Sequence, residues 1–188
     1  MKVFDFDNTL YHGESAVDLA LYMIKNNKRI ILYLPMIFIN LIKYKLCMVE
    51  KKKMVNAIND FLRNALRSKN EIYDAVDGFW NKNKSKLDRK MLDMIEKDDV
   101  IITAGPDFLI NGIRDLINTD NIISSRIDPD KMKVKYLNFG KNKVKGYKAL
   151  YGEKRIDCFY TDSYNDKALM DISDSVFIVN KGSLSRVK

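Results

Sequence analysis

The sequence predicts an α/β fold: a mainly parallel sheet with helices on both faces, interrupted near its start by a block of helices. Three observations predict it. Short runs rich in Val, Ile and Phe at 3–6, 100–103, 156–160 and 176–179 read as strands, those at 100–103 and 156–160 of the buried type. From residue 100 onward these runs alternate with helical patterns, as βαβ units do. Between about Gly13 and Lys84 apolar residues recur at helical spacing only.

The first strand lies in Val3-Phe4-Asp5-Phe6-Asp7-Asn8-Thr9-Leu10. It should end near Asp7, because Asn8-Thr9 is turn chemistry. Alternate strand residues share a face, so Asp5 and Asp7 point the same way. They do so at the carboxyl end of a strand, where open α/β sheets place their ligands. A helix follows over Ala16 to Lys25, begun by Glu14-Ser15 and broken by Asn26-Asn27, with Val17, Leu21 and Ile24 at helical spacing. A second helix is expected from about Lys28 to Met48, bent or started by Pro35. A third, Glu50 to Leu66, places Met54, Ile58, Phe61 and Leu62 on one side. Ser68, with Glu71 at the capping-box position, starts a fourth that carries Ile72, Val76, Phe79 and Trp80. This block reads as a bundle with its own small core. Two short links, near Tyr11-Gly13 and Asn83-Lys86, would let it rock over the strand ends as a lid.

Beyond the block a helix is expected from Leu87 to Lys97, then the strand Val100 to Thr103. Ala104-Gly105-Pro106 turns the chain, and Pro106 suits the first turn of a helix to about Ile117. Asn121 to Ser124 is a short strand. Arg126 to Asp128 and Val134 to Leu137 flank a turn at Pro129-Asp130-Lys131 and predict a hairpin. A helix over Asn142 to Tyr151, a strand over Ile156 to Tyr160, a loop and short helix after Asp162, and a strand over Val176 to Val179 complete the pattern.

The 188 residues suffice for one sizeable core and a small appended unit. Lys+Arg of 33 against Asp+Glu of 25 gives a net charge of +8, which favours anionic substrates by steering. The charges are scattered and accompany no nucleic-acid motif, so a solvated surface and a small phosphate-bearing partner are expected rather than nucleic acid. Cys47 and Cys158 lack disulfide or metal-ligand patterning and read as free, buried thiols in a reducing, cytoplasmic compartment. No signal peptide is expected, because Asp5 precedes any apolar region. The most apolar stretch, Ile30 to Ile42, is too short to span a bilayer and carries Pro35 and Asn40; a buried helix is expected, with weak peripheral membrane contact the lesser alternative. Oligomeric state is not legible.

Four polar spots stand where strands end: Asp5/Asp7, Thr103, the lysines of 141–145, and Asp162/Asp166. In a parallel sheet these ends converge on one edge. Three carboxylates, a hydroxyl and a lysine there fit a Mg²⁺-phosphate site, with acids on the metal and the hydroxyl and ammonium on phosphate oxygens.

In their order these spots resemble the haloacid dehalogenase-like (HAD) hydrolases, most closely the phosphoserine-phosphatase-like branch. Asp5-Phe6-Asp7-Asn8-Thr9-Leu10 is similar to the first motif, D-x-D-x-T-L, and Thr103-Ala104-Gly105-Pro106 to the second. Gly140-Lys141-Asn142-Lys143-Val144 is similar to the third, and Thr161-Asp162-Ser163-Tyr164-Asn165-Asp166 to the fourth, with Thr161 in place of the usual Gly. The resemblance implies a Rossmann-like three-layer sandwich over residues 1–12 and 85–188 with a helical cap over 13–84. It implies a Mg²⁺-dependent phosphatase for a small phosphomonoester. Asp5 would be nucleophile and Asp7 acid/base; Asp5, the Asp7 carbonyl and Asp162 would hold the metal, with Asp166 supporting its waters or the lysine. Thr103 and Lys143 would bind phosphate, joined by backbone N–H groups after Asp5 and by Asn8. Lys141 and Lys145 are the alternatives to Lys143, which is preferred for its spacing after Gly140 and its neighbour Val144. Glu14 stands where this branch often carries a cap acid facing the leaving group; Arg63 and Arg67 are candidates for a substrate carboxylate by residue type only. A phosphotransferase would share every catalytic residue, and a basic binding module is the alternative outside enzymology.

Overall fold

The structure is a computed structural model of the 188-residue chain, and residues 1–33, 35, 39, 51–66 and 68–188 are described. Seven strands form one sheet in the order β4-β3-β2-β1-β5-β6-β7. They are β1 (Lys2–Asp5), β2 (Val100–Pro106), β3 (Asn121–Asp128), β4 (Lys133–Tyr136), β5 (Ile156–Thr161), β6 (Ser173–Asn180) and β7 (Ser183–Arg186). The five inner strands run parallel; β4 and β7 are antiparallel edges. The described α-helices are α1 (Ser15–Asn26), α2 (Lys51–Ala65), α3 (Lys69–Asn83), α4 (Arg89–Asp93), α5 (Asp107–Asn111), α6 (Lys141–Tyr151) and α7 (Lys167–Asp171).

Alternation along the strands builds the layers. Val3, Val100 and Ile102 join one apolar cluster with Tyr147 of α6 and Leu169 of α7. Phe4, Phe6 and Ile101 join the other, which covers the opposite face. That second cluster also contains Leu19 and Met23 of α1, Met54 and Leu62 of α2, and Val76 and Trp80 of α3. The helical insert therefore shares the core of the sheet, which corrects the expectation of a bundle with a separate core on two links. The Trp80 indole donates to the Leu109 carbonyl at 2.7 Å, and Asn59 of α2 accepts from the Val134 amide at 2.8 Å.

Local chemistry sets most boundaries. Ser68 accepts from Glu71 N and caps α3 as expected, while the Glu71 carboxylate takes Asn27. Residues 28–32 form a 3₁₀ turn; the rest of the helix expected to Met48 lies outside the described residues, apart from Tyr33, Pro35 and Ile39. The helix expected over 87–97 shrinks to α4, because Leu87 is bridged to Tyr11 and Asp88 caps from within it. The helix expected to Ile117 ends at Asn111, and β2 runs on through Pro106, whose missing N–H is tolerated at a strand's end. Cys158 is half-buried rather than buried, and Cys47 lies outside the described residues.

Candidate active site

The turn after β1 brings the first acids to the sheet's edge. Strand geometry ends at Asp5, two residues earlier than expected, and the amides of Thr9, Leu10 and Tyr11 all donate to the Phe6 carbonyl. Asn8 occupies the left-handed region at φ 55°, a conformation Asn tolerates better than most residues. Register does the rest. Asp5 lies beside Ile102, so Thr103 is one residue beyond it on β2. Phe4 lies beside Tyr160, so Thr161 is beside Asp5 and Asp162 just past it. After β3 and its neighbour β4 the chain crosses by way of α6 to β5 on the far side of β1, making this a topological switch point, where α/β sheets leave a crevice.

Asp5 is on the face of β1 that carries Val3, towards α6. Lys143, in the first turn of α6, reaches it there. Its Nζ is 2.9 Å from Asp5 Oδ1 and 2.7 Å from Asp166 Oδ2, and all three side chains are at least nine-tenths buried. Lys141 and Lys145 are exposed. The Phe6 amide also donates to Asp5 Oδ1, so both bonds fall on one carboxylate oxygen. Burial pushes the Asp5 carboxyl up to about 8, against the pull of Lys143 and with help from the charge on Asp166. The same burial would lower the Lys143 ammonium, but the two carboxylates outweigh it and hold it above its ordinary value.

Asp7 is fixed differently. Its Oδ1 accepts from the Ser15 amide at 2.7 Å, at the start of α1. Burial raises it to about 6, opposed by Ser15 and assisted by the charge on Glu14. Asp162 is half-buried; burial raises its carboxyl, and Glu14 adds to that. Asn8 Nδ2 donates to exposed Glu14 at 3.1 Å, so these two meet each other across the turn. Thr103 is fully buried, and its hydroxyl accepts from the Gly105 amide at 2.9 Å. The amides of Phe6 and Asn8 are already engaged, with Asp5 Oδ1 and the Gly13 carbonyl, and so do not add to an anion cradle. Arg63 is exposed, and Arg67 lies outside the described residues.

Among the described residues no three acidic, His or Cys side chains stand close enough to enclose a metal ion. A set of two carboxylates, Asp5 and Asp162, with the Asp7 carbonyl is of another kind, suited to an ion that keeps several waters. Three neighbouring acids raised by burial, against one buried ammonium, leave the crevice short of positive charge and fit such a cation.

Residues outside the motifs also shape the site. Ser15 is fully buried, and its hydroxyl has no hydrogen-bond partner. Asn138 Nδ2 donates to the carbonyls of Thr103 and Ile123, tying the ends of β2 and β3. Thr161 accepts from Ser163 N at 3.2 Å and lies 3.5 Å from Asp166. Ser15 at a helix start signals only a cap, and nothing in the sequence around Asn138 marks it. Among the described residues no helix is long and apolar enough to cross a membrane.

The fold is shared with solved structures, and a family model matches most of the sequence. A crystal structure of a protein of unknown function from Bordetella pertussis Tohama I matches with TM-score 0.70 at 16% identity, over 91% of this chain and 85% of that one. A phosphoserine phosphohydrolase-like protein from Francisella tularensis subsp. tularensis SCHU S4 matches with TM-score 0.56 at 17% identity, over 94% and 86%. A phosphoserine phosphatase held as a phospho-aspartyl intermediate analogue matches with TM-score 0.52 at 12% identity, over 93% and 83%. At these identities the likeness is one of fold. No curated protein matches the sequence. The family model for haloacid dehalogenase-like hydrolases matches residues 3–171, and on that match the chain belongs to this family.

Proposed function

We propose that the chain is a phosphatase that hydrolyses a small-molecule phosphomonoester through an aspartyl-phosphate on Asp5. One observation carries the reading: Asp5 is buried at the switch point with both hydrogen bonds on Oδ1, leaving Oδ2 free to attack. In the first step the Asp5–phosphorus bond forms and the bond to the leaving oxygen breaks. Asp7 gives that oxygen a proton; with its carboxyl raised to about 6, about a tenth of the molecules hold that proton at pH 7, far more than for an ordinary aspartic acid. In the second step Asp7 takes a proton from water, the water oxygen bonds to phosphorus, and Asp5 is released. Lys143 offers its remaining proton to the phosphoryl oxygens. Thr103 does so too, because its hydroxyl accepts from Gly105 and keeps its own hydrogen to donate. Asp5, the Asp7 carbonyl and Asp162 would hold Mg²⁺, which when bound would offset the charge of nucleophile and phosphate and favour the ionised Asp5 that attacks. Asp166 supports the lysine, and Asn8 holds Glu14 towards the leaving group's polar end. Residues 1–12 and 85–188 form the catalytic unit in this reading, and 13–84 the cap.

The test is turnover of p-nitrophenyl phosphate with Mg²⁺ and with EDTA. Asp5→Asn is expected to abolish it, and Asp7→Asn to slow it by about 10²–10⁴ on natural leaving groups. Near-normal turnover by purified Asp5→Asn would remove Asp5 as nucleophile, and turnover indifferent to EDTA would remove the metal.

A further inference from the structure

We propose that the leaving group carries a compact apolar segment, which seats in a cavity between the helical insert and the strand ends. The proposal rests on the phosphatase reading for what happens at phosphorus, and on the cavity alone for what is bound. The cavity measures about 210 Å³. Met23 of α1 and Phe61 of α2 line one wall; Ile127 of β3 and Val134 of β4 line the other. Among the described residues no charged side chain lines it, and Ser125 is the one polar side chain that does. That hydroxyl is already used: it donates to the Ala104 carbonyl at 2.7 Å and accepts from the Asn138 amide at 2.9 Å. An ammonium or carboxylate placed here would lose its hydration and gain no partner. An apolar cavity of about 150 Å³ stays dry and takes a benzene, so this one has room for a somewhat larger group.

Position ties the cavity to the chemistry. Its lining includes Ala104, the residue after Thr103, and Ala16, the residue after Ser15, whose amide holds Asp7. Ala16 is both exposed and part of the lining, so the cavity reaches the surface beside the residue whose amide holds the acid/base. A substrate whose phosphoryl group stands at the strand ends beside Asp5 would reach these apolar walls with its alcohol by passing Ala104 and Ala16. The substrate class is a phosphomonoester of an alcohol with an aryl, branched or short alkyl body, and O-phosphoserine is disfavoured.

The experiment titrates the full chain with methyl-, ethyl-, butyl- and hexylphosphonate in Mg²⁺ by calorimetry, with turnover of the matching alkyl phosphates and of O-phosphoserine measured alongside. Affinity is expected to rise about fourfold for each added methylene until the cavity is full. Ala20→Leu, which narrows the cavity from α1, should erase most of that rise. Equal affinity across the series, or a rise that Ala20→Leu leaves intact, would overturn the proposal; the wild-type series decides alone if the variant does not fold. Length-dependent binding with no turnover of any phosphate would keep the apolar site and remove the phosphatase reading. Turnover with flat binding would do the reverse, and so would O-phosphoserine as the best substrate.

Discussion

Lys143 holds one positive charge against two buried carboxylates, and this imbalance has a sign that can be worked out. An acid whose pKa is raised on folding binds more protons in the folded chain, so it lowers stability as pH rises between its unfolded and folded values. For Asp5 that window runs from 3.8 to about 8. The metal-free protein is therefore expected to melt progressively lower from pH 5 to pH 8. Asp5→Asn should flatten that slope and raise the pH 8 midpoint, by about 2–4 °C for each kcal/mol recovered in a chain of this size. Lys143→Met should act oppositely, costing about 3–5 kcal/mol at pH 8 and less at pH 5, where the acids can take protons. Scanning calorimetry in EDTA reads all three proteins, and a wild-type midpoint that does not fall with pH would mean Asp5 stays ionised throughout. The acids themselves were legible in the sequence, because two carboxylates at a strand end form a short, local pattern. Which of three lysines meets them was less so: spacing after Gly140 and the neighbour Val144 favoured Lys143 over Lys141 and Lys145, and the face of α6 turned to the sheet makes Lys143 the buried one. The buried hydroxyl of Ser15 left no trace at all, since burial there comes from contacts distant in sequence.

The elements that strayed from expectation did so where a neighbour set the boundary. Gly112 stops α5, and its neighbours explain why glycine stands there. A Cβ would lie 2.6 Å from Val76 Cγ1 and 2.7 Å from Trp80 Cδ1, so α3 rests directly on this backbone. Gly112→Ala is expected to cost about 1–3 kcal/mol through overpacking, read as a lower urea midpoint with an unchanged slope. A neutral result would mean α3 shifts freely at this contact. A helix pattern read along the chain cannot see such a contact, so it ran on to Ile117. The strand β7 escaped for a different reason. All four of its residues are exposed, and its turn uses Lys181 and Gly182, both at positive φ, without the Asn-Gly or Asp-Gly pair that usually announces a hairpin.

At the scale of the molecule, the parallel sheet and the place of the helical insert were legible, because strand runs and helical periodicity are each local. What covers the insert's apolar face was not. Periodicity shows that a face is apolar, and only the folded chain shows that it shares one core with Phe4, Phe6 and Leu10 as well as packing on itself. The bond between Asn59 and the Val134 amide makes that packing measurable. On an edge strand this amide points away from the sheet, and α2 supplies its acceptor. If the insert lifted as a body, the amide would meet solvent and trade its hydrogen for deuterium; if it stays seated, the amide should exchange as slowly as those paired inside the sheet. Asn59→Ala should speed exchange at Val134 with little change at Ile102. Solvent hydrogen exchange at one backbone position thus counts the openings of the whole helical layer, with no label attached to the protein.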